Sequence, residues 1–286
     1  MDLTTGTDEL LLTREGPVAV LTINRPERLN ALGENVHFAL RRVWHELEAD
    51  PTCRVAVVTG AGERAFCTGM DLRENKERGG IRPQSAKATD VRDAGKVSAL
   101  RNDSLLPVVV AVNGVCAGAG LHFVADGDVV VASEHATFTD THVSVGQVAA
   151  LEPIMLAHRI GGGQALRLAV MGRSLRLDAD EALRIGLVHE VVAAERLLTR
   201  AREIARGIAA NSPAAIRASK LAIWGSVGQP LLAGMQHGFD QVRGHWDHPD
   251  SKEGPKAFVD KRQPEWADRT AEPLDVLSLY VEARGA

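Results

Sequence analysis

The chain has 286 residues, a formal net charge of −4 and 45% hydrophobic residues, enough for one large domain, or a domain with a smaller appendage, around a real core. Aromatic residues make up only 4%, so that core is mostly Val, Leu, Ile and Ala. The slight acidity argues against a nucleic-acid partner, which calls for a basic face. Cys53, Cys67 and Cys116 show no CxxC spacing, which excludes a disulfide framework or zinc site and suits a reducing cytosol. There is no basic, apolar leader at the start and no run of about 18 apolar residues, so the expectation is a soluble cytoplasmic protein with no membrane partner.

In chain order, residues 18–23 follow the Gly16-Pro17 turn as a strand and end in the Asn24-Arg25-Pro26 loop. Asn30 is placed to cap a helix over residues 32–49, with Phe38, Leu40, Val43, Trp44 and Leu47 as its apolar face and Asp50-Pro51 as its stop. The unbroken apolar run 55–59 predicts a strand buried on both faces. The polar stretch 73–89 reads as an exposed, mobile loop, and residues 90–106 as a helix ended by Pro107. Strand 108–112, the small-residue run 113–120, a short helix 121–125 and strand 129–132 follow. This repeated β-turn-α-β order implies parallel pairing with helical crossovers, an α/β fold. Beyond Gly146 the pattern turns helical: 153–160, 163–171 and 178–185, the last with Asp178 as N-cap and Gly186 as C-cap. A short strand 187–192, helices 197–210 and 214–224 (capped by Ser212-Pro213), a helix from about 231, a His- and Pro-containing loop and a short helix 253–261 complete the chain. The shift near residue 200 separates a core, 1–200, from a C-terminal helical region, 201–286.

Two Gly/Ala-rich turns each follow a buried-strand pattern: Phe66-Cys67-Thr68-Gly69-Met70-Asp71 and residues 113–120. Small residues let backbone approach a ligand and leave N–H groups free, and the second turn opens a helix whose N-terminus favours negative charge. Two converging N–H donors stabilise an enolate or a tetrahedral oxyanion. The same pattern also fits tight strand-to-helix packing.

Taken together, these segments resemble the crotonase superfamily, the enoyl-CoA hydratase/isomerase family, over about residues 18–262. The carriers are Ile23-Asn24-Arg25-Pro26-Glu27-Arg28-Leu29-Asn30-Ala31-Leu32, then the run from Ala65 to Leu72, then Pro107-Val108-Val109-Val110-Ala111-Val112-Asn113-Gly114 with its glycine run. Ala182 to Val188 and the segment from Glu253 to Arg262 complete the set. Five such segments in this order are specific. The resemblance implies a spiral of β-β-α units and a C-terminal helical part that mediates trimers, often paired into hexamers. It implies an acyl-CoA substrate of fatty-acid-type metabolism, with coenzyme A as part of the substrate, no separate cofactor and no metal. The matching oxyanion donors are the N–H groups of Met70 and Ala119. Arg25 and Arg28 stand where the family holds CoA, and Phe258 and Lys261 where it reaches a neighbouring subunit's CoA.

The pattern departs from the family at the proton-moving positions. Family hydratases use two glutamates, and alignment places His122 and His142 there. Histidine titrates near neutrality, so one neutral and one protonated imidazole can carry the same proton traffic, with acid and base unassigned. Asp140, two residues before His142, would share its side of a strand. Glu152 stands in an apolar context where the family's pocket wall is usually small, and is a candidate pocket residue. His237, His245 and His248 read as a surface loop, and Cys67 as a filler of a small space. The leading function is an enoyl-CoA hydratase/isomerase-type enzyme, a lyase or isomerase, working through a stabilised enolate. The alternatives are a C–C bond hydrolase of the retro-Claisen, β-diketone type, with a His142–Glu152 pair activating water, and a non-catalytic paralogue. The loop 73–89 is expected to set substrate size.

Overall fold

Runs of aliphatic, β-branched residues set the frame. The computed structural model describes residues 4–77, 90–91 and 94–269, so the expected loop 73–89 lies outside the described residues from residue 78 onward. β1 (Leu10–Glu15) and β2 (Val18–Ile23) form an antiparallel hairpin across Gly16, whose φ of +60° suits the tight turn. α1 (Glu34–Ala49), β3 (Val55–Gly60), β4 (Ala65–Cys67) and α2 (Leu72–Glu77) follow, then β5 (Val108–Val112), β6 (Val115–Ala117) and α3 (Leu121–Asp126). Next come β7 (Val129–Ser133), β8 (Thr137–Thr139), α4 (Leu151–Ile160), α5 (Gly162–Met171), β9 (Leu177–Asp178), α6 (Ala179–Arg184) and β10 (Glu190–Val192). α7 (Leu197–Ala209), α8 (Pro213–Gly225), α9 (Leu231–His245) and α10 (Asp250–Val259) complete the described elements.

From β3 to β8, successive strands go alternately to two sheets. Among the described residues, one sheet runs β1-β2-β3-β5-β7-β10 and the other β4-β6-β8-β9. From β2 onward the larger sheet is parallel, as the helical crossovers require. Each passage β3–β4, β5–β6 and β7–β8 lays one strand in each sheet before a helix or loop returns the chain, which is a spiral of β-β-α turns.

Alternation along the strands divides the core. Ala56, Val58, Val110, Val112, Val130 and Ala132 face Trp44, Leu40 and the other inward residues of α1 and α3. Val55, Val57, Val109, Ala111 and Val131 face α7, whose Ala201, Ala205 and Ala209 repeat every fourth residue and let it lie close to the sheet. α7 thus straddles residue 200 while packing on β3 and β5.

Several expectations change. Residues 94–106 do not form the expected long helix; among the described residues they are turns with one 3-10 turn, Leu100–Asn102. Gly95 and Asp103 sit at positive φ, and Asn102 Nδ2 donates to Ser98 O at 2.7 Å, local bonding that competes with a helix. Asn30 is not the α1 cap, which is Gly33. Fully buried, Asn30 instead accepts from the Arg25 N–H at 3.0 Å and donates to the carbonyls of Ala61 and Ala65 at 2.9 and 2.7 Å. His237 and His245 lie on α9 rather than in a loop; the His245 and His248 rings stack, while His237 Nε2 faces Leu221 O. Asp178 and Ser212 do cap their helices, accepting from Glu181 N and Ala215 N.

The chain then folds back over its early part. Arg269 donates to the carbonyls of Leu47, Asp50 and Cys53 at the end of α1, and with Arg217 it flanks the buried carboxylate of Glu48 at 3.0 and 2.5 Å. Among the described residues no helix is long and apolar enough to cross a membrane.

Candidate active site

Both glycine turns leave the short strands of the smaller sheet and meet. β4 leads into Gly69, at φ +88°, and β6 into Gly118, at φ +51°, conformations that L side chains disfavour. A Cβ on Gly69 would lie 3.0 Å from both Ala117 O and Ala119 N, so only glycine allows this approach. The first turn is pinned to the segment before α1: Leu32 N–H donates to Gly69 O at 2.7 Å and Asp71 N–H to Leu32 O at 3.1 Å. The Gly69 carbonyl and the Met70 N–H belong to one trans peptide and point oppositely. With the carbonyl held by Leu32, the Met70 N–H is directed away from it, on the turn that Ala119 N abuts.

Beside this pair stands a line of ionisable side chains. His122 follows the second turn on α3 and is only 3% exposed. Its Nε2 lies 3.2 Å from Glu152 Oε1, on the first turn of α4, and the same oxygen lies 3.7 Å from His142 Nε2. His142 Nδ1 lies 2.7 Å from Oδ1 of the fully buried Asp140, which also accepts the His142 backbone N–H at 2.9 Å. A carboxylate without a proton only accepts, so in the His142–Asp140 hydrogen bond the ring Nδ1–H donates. His142 Cε1 lies 3.9 Å from where a Gly118 Cβ would stand, which places the ring against the second turn.

The Asp140–His142 pairing does not come from a strand. β8 ends at Thr139, and His142, at φ and ψ of −55°, opens the 3-10 turn Val143–Val145. The Asp carboxylate closes a turn onto the backbone N–H two residues on and thereby faces the ring as well. Its hydrogen bond raises the His142 pKa above the ordinary imidazole value; burial opposes this, and the charges of Glu152 and Asp140 add to it.

A cleft of about 280 Å³ opens next to Met70, lined also by Arg28, Leu29, Thr68, Leu72 and Arg73. Of the two arginines expected to meet CoA, Arg28 is in this lining and partly exposed, 4.0 Å from Asp71. Arg25 is turned inward, 6% exposed, with its guanidinium engaged by Asp71, Glu74, Glu9 and the Ala31 carbonyl. Phe258, 86% exposed at the end of α10, and the nearby Lys261 are outside the cleft lining. Burial pushes the Cys67 thiol up to about 12, so it is a neutral space-filler at neutral pH.

Sequence reading did not single out two neighbours of this site. Gly95, at φ +62°, covers His122: a Cβ there would be 3.0 Å from the ring Nε2. His37 on α1 is depressed below its ordinary pKa by burial, by Arg41 one turn on and by His122. Neither shows a motif; only the packing of α1 and the 94–99 segment onto α3 brings them near.

A family model described as enoyl-CoA hydratase/isomerase matches residues 13–269. The (E)-benzylidenesuccinyl-CoA hydratase of Thauera aromatica is 35% identical over 252 residues, covering 86% of this chain and 94% of that protein. The short-chain-enoyl-CoA hydratase of Clostridium acetobutylicum is 32% identical over 257 residues, covering 90% and 96%. A solved enoyl-CoA hydratase/isomerase from Mycobacterium paratuberculosis has a TM-score of 0.81 at 38% identity, covering 92% of this chain and 99% of that one.

Proposed function

The chain belongs to the enoyl-CoA hydratase/isomerase family, and on that premise we propose that it adds water to an enoyl-CoA thioester, or removes it from the 3-hydroxy form, with two carboxylate-held histidines moving the protons. The observation that carries this reading is the contact of the two glycine turns at Gly69 and Ala119 beside imidazoles that share Glu152.

The thioester oxygen accepts from the N–H groups of Met70 and Ala119, which draws electrons from the conjugated double bond. His122 takes a proton from water at Nε2, the nitrogen that faces Glu152, as the oxygen bonds to the β-carbon. The resulting enolate rests in the two-amide hole. His142, whose raised pKa favours its protonated form, gives the Nε2 proton to the α-carbon. His122 then holds one proton too many and His142 one too few, and Glu152, between the two Nε2 atoms, provides the path that resets them. Arg28, in the cleft beside Met70, suits a CoA phosphate. The exposed apolar residues Leu231, Leu232, Met235 and Phe239 on α9 support a homotrimer or hexamer, and three buried free thiols fit a reducing cytoplasm.

The test is to incubate the protein with enoyl-CoAs and 3-hydroxyacyl-CoAs in 18O-labelled water and analyse the thioesters by mass spectrometry. Gain or loss of one labelled water supports the reading; no conversion across chain lengths rejects it. One observation favours a second reading. His142 held by a buried Asp140 at 2.7 Å is also the arrangement of a water-activating base, suited to C–C hydrolysis of a β-dicarbonyl substrate. In the same assay that reaction splits the acyl group into two fragments.

A further inference from the structure

Arg25 has a backbone and a side-chain connection to the same turn. Its Nη1 donates to Ala31 O at 2.7 Å. The Ala31 carbonyl and the Leu32 N–H form one peptide group, and that N–H donates to Gly69 O at 2.7 Å. The Gly69 carbonyl and the Met70 N–H form the next peptide group. A continuous line therefore runs from the guanidinium through two peptides to the N–H of Met70, a residue that lines the cleft. In such a line each donor polarises the next, so a cation at its head strengthens the donor at its end.

The remaining contacts fix the guanidinium in this line. Nη2 lies 3.1 Å from Asp71 Oδ2 and 3.6 Å from Glu74 Oε2, and Nε lies 3.7 Å from Glu9 Oε2. Asp71 is buried, which raises its pKa, but the N–H groups of Glu74 and Arg73 and the charges of Arg25 and Arg28 outweigh that and hold the carboxyl below its ordinary value. Asp71 also donates its own N–H to Leu32 O at 3.1 Å, so the carboxylate that holds Arg25 is on the strand-like bridge that holds Met70. Leu29 and Asn30 both adopt positive φ, and the Asn30 side chain accepts the Arg25 N–H at 3.0 Å, bending the loop back toward Ala31.

We propose that Arg25 is a positioning residue for the oxyanion hole: it orients and polarises the Met70 N–H through the peptides 31–32 and 69–70, and does not bind CoA. This rests on the proposed acyl-CoA reading and adds a role to a side chain that never touches the substrate. A lysine at this position keeps the charge but lacks the fork that reaches Ala31 and the carboxylates together.

The experiment compares wild type, Arg25→Lys and Arg28→Ala. The readouts are kcat, KM, inhibition by free CoA, and the absorption shift of a bound aryl-conjugated enoyl-CoA, which reports polarisation of the thioester. Arg25→Lys is expected to lower kcat by about thirtyfold and shrink the absorption shift, with KM and CoA inhibition within about twofold. Arg28→Ala is expected to weaken CoA inhibition and raise KM, the signature of a lost CoA contact that Arg25→Lys is expected not to show. The proposal is overturned if Arg25→Lys weakens CoA inhibition as Arg28→Ala does, or if it leaves kcat and the shift intact. Should Arg25→Lys fail to fold, Arg25→Gln, which retains an N–H donor without charge, is measured against the same expectations; failure of both to fold assigns Arg25 to folding alone and also overturns the proposal. Wild type that binds no CoA and turns over no acyl-CoA rejects the acyl-CoA reading first, and the proposal with it. Wild type that shows the shift and a lysine variant that keeps it rejects the proposal alone.

Discussion

The two halves of the site are built by different means. The donor half, Gly69–Met70 and Gly118–Ala119, consists of backbone groups held by hydrogen bonds and by the absence of side chains. The proton-moving half, Asp140, His142, Glu152 and His122, consists of side chains delivered by a turn and by two helices. In the proposed reaction the first half fixes which atom is polarised and the second sets which protons move. A family can keep the former and change the latter, since altering an imidazole leaves the peptide geometry in place.

Breaking the donor half has the largest expected effect. In Gly69→Ala the new Cβ meets Ala117 O and Ala119 N at 3.0 Å, at a φ of +88°. The turns must separate, and kcat/KM falls about a thousandfold, the scale of losing an oxyanion donor. Retained activity in a folded variant contradicts the placement of the hole. His142→Gln comes next. Glutamine fills similar space without transferring a proton, and kcat should drop about a hundredfold while KM stays within several-fold. Equal turnover would remove His142 from the mechanism and leave the donor half standing.

Asp140→Asn sharpens the comparison through pH. The Asp140 hydrogen bond raises the folded pKa of His142 above its usual 6.5. Protonation of the ring therefore stabilises the fold fully below about pH 6.5, and that contribution is lost as pH rises through the raised value. Activity that depends on protonated His142 falls over the same rise. The asparagine variant should lose about tenfold in kcat, with the alkaline limb of its pH profile moved to lower pH; an unmoved limb argues against His142 as the acid. Arg28→Ala has the smallest expected effect, about a fivefold rise in KM at unchanged kcat, read from steady-state kinetics with a CoA thioester and checked against a short pantetheine thioester that lacks the CoA phosphates.

The sequence is most legible where a single residue type is demanded locally. Gly69 and Gly118 are visible because positive φ and close approach select glycine, and β3 and β5 because they are long apolar runs. β4, β6 and β8 have three residues each, too few to show alternation, so the smaller sheet is hidden although it carries both donor turns. The segment 94–106 misleads because its buried residues lack helical order and serve two cores: Val97 and Leu106 join the main one, while Leu100 and Leu105 pack with Met155 of α4 and Leu221 and Trp224 of α8. Within the site, His122 and His142 stand out only against the family pattern. Their shared contact with Glu152 depends on how α4 docks. The inward turn of Arg25 is invisible for a similar reason: two arginines three residues apart look alike until Asp71 and Ala31 fold toward one of them.

One consequence concerns the order in which a ribosome makes this chain. Glu48 emerges early, at the end of α1, while Arg217 and Arg269, which flank its carboxylate, emerge late. Before they arrive the Glu48 carboxylate can accept from the Ser104 hydroxyl and the Leu106 N–H but lacks the two arginine charges, and burying a charge without its counter-charge costs several kcal/mol. The first sheet can assemble during synthesis, but the end of α1 is sealed only when Arg269 arrives, so a nascent protein released short of that residue leaves its earliest helix unlocked.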